Sequence, residues 1–155
     1  MTEQGHEEFI HFATCMRRLF SAQNTLSAIK ESGDNPLIGP AFRFALIEYA
    51  APYTRSNGSK KGHYLNKKYV PTRFLELHSR ILTARRTIHA HSDLTVLQAK
   101  LYVMHTQSGP SAEIHGKNID ELKELANIDQ ILELIEGTLL NMFADQEALL
   151  RALKT

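Results

Sequence analysis

The strongest limit on what this chain can fold into is helical apolar periodicity, which recurs in separate long stretches. After Pro71, residues Phe74, Leu77, Ile81, Ala84 and Ile88 follow at alternating three- and four-residue spacing, a stripe that predicts a third helix running from Pro71 to near Ser92-Asp93. Near the start, Phe9, Phe12, Ala13, Met16, Leu19, Phe20 and Ile29 predict a helix over 3–31, closed by Ser32-Gly33-Asp34-Asn35-Pro36. A second helix is expected over 37–51, stopped by Pro52. Toward the end, Ile128, Ile131, Leu132, Leu134, Ile135, Leu139, Leu140, Met142, Phe143, Leu149 and Leu150 predict a long last helix with Asn127 as its cap.

Two stretches depart from this period. Residues 53–70 carry Ser56-Asn57-Gly58-Ser59 and Lys60-Lys61-Gly62 with no apolar repeat, which reads as an exposed loop. Leu97, Ala99, Leu101 and Val103 alternate with polar or amphipathic residues, and Ser108-Gly109-Pro110-Ser111 separates them from Ala112, Ile114 and His115, which reads as a short hairpin. The expected architecture is therefore an all-α antiparallel four-helix bundle with a small β-hairpin inserted before the last helix. The 155 residues suit a single domain, 1–155, able to bury its own core.

Cys15 is the only cysteine, which rules out an intrachain disulfide, argues against a cysteine-rich zinc module and fits a reducing, cytoplasmic setting. Among apolar neighbours it reads as a small buried hydrophobe. Charges within the first twenty residues break any signal-peptide run, and no apolar stretch is long enough to span a membrane. The formal net charge of +1 excludes binding of nucleic acid by bulk charge alone. The distribution is uneven, however: 49–75 lacks acidic residues and holds Arg55, Lys60, Lys61, Lys67, Lys68 and Arg73, whereas 120–147 is predominantly acidic. The basic loop is a candidate contact surface for an anionic ligand. Tyr53, and Tyr49 before it, are candidates for stacking on a nucleobase or for packing at the rim of the core.

The densest chemistry lies at the end of the third helix, where Arg85, Arg86, His89 and His91 are followed by Ser92 and Asp93. Arginine offers a permanent planar cation that matches phosphate oxygens, and histidine carries protons near neutral pH. Together they suffice for phosphodiester chemistry without a metal. The two histidines, at a two-residue spacing, diverge on a helix, and no His-Glu-x-x-His pattern is present, so no metal or other cofactor is expected. No glycine-rich phosphate loop or Gly-x-Ser-x-Gly elbow occurs. His78, seven residues before Arg85, either joins this site or sits at its rim.

The string Arg85-Arg86-Thr87-Ile88-His89-Ala90-His91-Ser92-Asp93 resembles the Arg-then-four-to-six-residues-then-His signature of HEPN domains, in the variant ending Ala-His-Ser-Asp that occurs in abortive-infection and toxin-like bacterial proteins. The resemblance implies a homodimeric, metal-independent endoribonuclease of a phage-defence or toxin–antitoxin system, with an antitoxin or other protein as a further partner. It implies that His91 takes or positions the proton of the ribose 2′-hydroxyl, that Arg85 or Arg86 stabilises the phosphorane-like transition state, and that Asp93 belongs to the site. The products would be a 2′,3′-cyclic phosphate and a 5′-hydroxyl. RNA contacts would come from Tyr53, Arg55, Lys60, Lys61, Lys67, Lys68, His89 and Ser92.

A straight helix turns each residue by about 100°, which places His91 roughly 120° to 140° around the axis from either arginine. Convergence on one phosphate then needs a local break near Ala90 or a second subunit. A different reading is a non-catalytic HEPN module that binds RNA, a nucleotide or a protein partner. Another is a purely structural dimerisation domain.

Overall fold

The computed structural model describes residues 3–58, 61–89, 100–106, 108–115 and 122–152. The chain is mostly helical, and four α-helices are present among the described residues: α1 (Glu3–Glu31), α2 (Ile38–Ala50), α3 (Leu75–His89) and α4 (Ile128–Ala152). Two small antiparallel sheets accompany them, β1 (Ser56–Asn57) with β2 (Gly62–His63), and β3 (Lys100–Thr106) with β4 (Gly109–His115).

The helices meet along the stripes read from the sequence. Phe12, Met16, Leu19, Leu26 and Ile29 of α1, Phe42, Ala45, Leu46 and Tyr49 of α2, Leu77 and Ile81 of α3, and Ile131, Leu134, Ile135, Leu139 and Met142 of α4 form one buried cluster. Such burial out of water is the main term favouring this arrangement. Helix α1 runs antiparallel to α2, as Arg18 bonds Glu48 while Thr25 and Ile29 face Ile38 and Ala41. It is also antiparallel to α4, with Lys30 paired to Asp129 and the ring of Phe20 against that of Phe143 at 6.1 Å. Phe20 and Phe143, expected on buried faces, thus pack on each other at the surface, and Leu140 and Leu150 are exposed too.

Helix α3 is fixed by polar staples as well as by its apolar face. Arg73 pairs with Glu133 at 3.2 Å, and Arg80 Nε donates to Glu124 Oε1 at 2.9 Å. Pro71 does not lie in the α-helix but starts a short 3-10 turn over Thr72–Phe74 that leads into it. A side chain on Gly137 of α4 would meet Pro71 Cγ at 2.7 Å, so this crossing requires glycine. At the start of α4, Asn127 donates through its amide nitrogen to Glu124 Oε2 instead of capping with its oxygen.

The stretch 53–70, expected as an exposed loop, is folded onto the helices. Leu65 N donates to Pro52 O at 2.7 Å, β1 and β2 pair in the register Ser56↔His63 and Asn57↔Gly62, and Lys67–Tyr69 forms a 3-10 turn. His63, Leu65, Tyr69 and Val70 are buried. Their burial comes from contacts distant in sequence: the Phe12 ring lies 5.8 Å from that of Tyr69, and Asn141 Nδ2 donates to Tyr69 O. No local apolar period announces such packing.

The second hairpin is present, with a shifted turn. Pairing runs from Lys100↔His115 to Thr106↔Gly109, so Gly109 and Pro110 belong to β4, and proline is tolerated because both strands of a two-stranded sheet are edges. Leu101, Tyr102, Val103 and Met104 are all exposed, in place of the half-buried alternation expected. Residues 97–99 of that expectation, and the end of the third helix beyond His89, lie outside the described residues.

Candidate functional site

Helix α1 carries Glu7, His11, Cys15 and Arg18 at spacings of three and four, hence on one side of the helix. This side faces the segment that leaves α2 and the β1–β2 hairpin. The space between them is a cleft of about 430 Å³, walled also by Thr54, Arg55, Gly58 and His63 and by Arg85 of α3. That size falls within the range of about 300–1,000 Å³ usual for small-molecule sites.

The hairpin is held against α1 by polar contacts. His63 Nε2 lies 3.2 Å from Glu7 Oε2, and Lys61 Nζ donates to Glu8 Oε1 at 2.7 Å. The rings of His11 and His63 stand 5.3 Å apart, inclined by 30°. Burial, and then the neighbouring His63, hold the His11 pKa below the ordinary histidine value, which favours the neutral ring. His11 Nε2 lies 3.6 Å from Cys15 Sγ. Burial pushes the Cys15 thiol up to about 11 against the opposing pull of Arg18, so Cys15 stays a thiol near neutral pH and is a poor nucleophile.

Three arginines from three elements reach this cleft. Arg18 Nη1 donates to Glu48 Oε1 at 2.6 Å, which directs its guanidinium along the α1–α2 seam. Arg55 lies across the hairpin at Gly62, where a Cβ would overlap the arginine side chain. Arg85 brings its Nε into the protein without any hydrogen-bond partner. A buried donor left unfilled costs about 1–3 kcal/mol, and more on a charged group; Tyr53 Oη is buried without a partner in the same way.

The residues singled out from sequence fall into distinct places. Of the two adjacent motif arginines, Arg85 lines the cleft while Arg86 is exposed and does not. For His89 only the backbone, at the last position of α3, is described; His91, Ser92, Asp93 and Lys60 lie outside the described residues. Arg55 is at the cleft, whereas Lys61 is engaged by Glu8 at the rim of the hairpin. Lys68 bonds Asp145 at 2.7 Å and sits over the Tyr69 ring, away from this cleft, and Lys67 is exposed on the same 3-10 turn. Tyr53 packs inward, its ring 4.5 Å from that of His78. His78 is buried, with Nδ1 2.8 Å from Tyr49 Oη, and does not line the cleft.

Sequence reasoning did not single out Glu7, His11, Arg18 or His63. The first three had a detectable signal, a polar row at helical spacing beside the apolar stripe of α1; His63 had none, because its place depends on the hairpin closing over Glu7. Among the described residues, no group of three or more histidine, cysteine or acidic side chains is placed to hold a metal ion, and no helix is long and apolar enough to cross a membrane. No protein-family model, no curated protein and no solved structure matches the chain.

Proposed function

We propose that this protein is a metal-independent endoribonuclease of HEPN type. In this reading the helices form the antiparallel four-helix bundle of that family, two copies associate with their motifs facing each other, and the substrate is RNA. The setting is a bacterial phage-defence or toxin–antitoxin system, with an antitoxin or other protein as the controlling partner, in the cytoplasm.

The observation that carries the reading is the position of Arg85. Arg85, one of the two candidate motif arginines, lines a cleft that also holds Arg18 and Arg55, which supports a role for it in holding an anionic substrate. The chemistry follows from the motif. The ribose 2′-oxygen attacks the adjacent phosphorus and loses its proton to His91, the P–O5′ bond breaks as the leaving 5′-oxygen takes a proton from water, and a 2′,3′-cyclic phosphate and a 5′-hydroxyl result. Negative charge grows on the phosphoryl oxygens during this step, and Arg85 stabilises it more strongly than it stabilises the bound substrate. Asp93 belongs to the same site, and Arg86 is the alternative to Arg85 as the motif arginine.

The test is incubation of total RNA with purified protein in excess EDTA, followed by end-group analysis. Wild type should cut and leave cyclic phosphate ends, and His91→Ala should fold normally and not cut. Equal cleavage by His91→Ala would refute the mechanism. Absence of cleavage by a well-folded wild-type dimer would favour the non-catalytic alternative, in which the same arginines bind RNA or a nucleotide without breaking it.

A further inference from the structure

The α1-side cleft holds more cationic groups than the motif supplies. Arg18, Arg55 and Arg85 come from α1, the connection after α2, and α3, positions far apart in the chain that meet at one cavity. Arg18 is balanced by Glu48, but no acceptor among the described residues engages Arg55 or Arg85. Glu7 is the carboxylate in the cleft wall, and it is turned toward His63. His11 and His63 add two imidazoles to the same wall, and Cys15 beside them remains a neutral thiol. A cavity with two unengaged guanidiniums and a pair of imidazoles fits an oxyanion with several acceptor oxygens, and planar guanidinium forks match phosphate in particular.

We propose that this cleft is a phosphate-ester binding site in which Arg85 and Arg55 grip the phosphate, Arg18 supports it from the α1 side, and His11 and His63 line the seat. The site shares Arg85 with the nuclease reading, but it concerns binding and stands whether or not RNA is cut. Its novelty lies in Arg18, Arg55, His11 and His63, none of which belongs to the motif. The hairpin serves as the outer jaw. Gly62 lets the Arg55 side chain lie flat over it, and the Glu7–His63 and Glu8–Lys61 contacts hold that jaw on α1.

The experiment is titration of the full chain with inorganic phosphate, with adenosine 5′-monophosphate, and with a short single-stranded RNA made uncleavable by 2′-O-methylation. Heat and the imidazole C–H resonances of the histidines are followed. Phosphate should bind, shift the His11 and His63 resonances, and lose affinity by about tenfold or more in Arg85→Ala, the loss expected for one charge-assisted hydrogen bond. Arg85→Lys, which keeps the charge but removes the planar guanidinium fork, should lose most of the same affinity and guards against misfolding of the alanine variant. Gly62→Ala, which pushes Arg55 aside, should weaken binding several-fold. Displacement of phosphate by the RNA would identify a nucleic-acid backbone as the source of the phosphate; displacement by the monophosphate alone would identify a free nucleotide, and either supports the site. Phosphate binding by a protein that leaves total RNA uncut in the EDTA assay would leave this site standing and count against only the nuclease. No phosphate binding, or equal binding by wild type and both Arg85 variants, would overturn it.

Discussion

Two histidine neighbourhoods in this protein show how the same side chain can serve opposite ends. His78 is enclosed by Tyr49 and Tyr53, its Nδ1 satisfied by the Tyr49 hydroxyl, in the interior between α2 and α3. His11 and His63 face each other where α1 meets the β1–β2 hairpin, beside an open cleft with three arginines. In the first place His78 and Tyr49 bond each other in a closed interior, where the neighbouring Tyr53 Oη is buried without a partner. In the second, Arg85 Nε has no partner. The first place is closed, whereas the second opens into a cavity where arginines from three elements meet.

The sharpest way to break this comparison is to remove its enclosed member. Tyr49 is fully buried, so Tyr49→Ala should cost about 3–5 kcal/mol in urea unfolding, the range for deleting a large core aromatic. Tyr49→Phe keeps the ring and leaves His78 Nδ1 without its partner, which should cost about 1–3 kcal/mol. Arg85→Ala should change stability by less than about 1 kcal/mol, because no hydrogen bond of its Nε is lost, while phosphate affinity falls. Equal destabilisation by Tyr49→Ala and Arg85→Ala would erase the distinction. At the small end, Lys61→Ala removes an exposed pair with Glu8 and should cost at most about 1 kcal/mol, with the loss shrinking at high salt.

Acid should sharpen the comparison further. Burial, followed by the charge of Lys67, holds His78 below the ordinary histidine value of 6.5, and burial, followed by His63, does the same to His11. In the window just below that value the unfolded chain binds more protons than the folded one, so stability rises with pH there. The contribution is complete above the unfolded-state value and is lost as pH falls below it. Unfolding midpoints measured across pH 5 to 8 should therefore drop on the acid side, and His78→Gln should flatten the slope. Bound phosphate should flatten the part due to His11, because an anion favours the protonated ring. An unchanged slope in both cases would contradict the assignment.

The helices were legible because period and burial coincide in them: Phe74, Leu77 and Ile81 read as one face and are buried as one face. The stretch 53–70 was not, since Leu65, Tyr69 and Val70 are buried by α1 and α4 with no repeat of their own. Charge misled for a related reason. Lys60, Lys61, Lys67 and Lys68 are dense along the chain, yet Lys61 and Lys68 are taken up by Glu8 and Asp145, acids distant in sequence. Arg18, Arg55 and Arg85 are sparse along the chain and meet in space. Arg85 stood out in the sequence as part of the dense Arg/His cluster at the end of the third helix. Its companions were hidden because tertiary folding alone decides which charges converge.

The most direct test of the central claim is an experimental structure of the protein with the 2′-O-methylated RNA bound. A phosphate is expected in the α1-side cleft, with one of its oxygens accepting a hydrogen bond from the Arg85 guanidinium and Arg55 on the opposite side. RNA seated along the 3-10 turn of Lys67 and Lys68, with the Arg85 cleft empty, would contradict it.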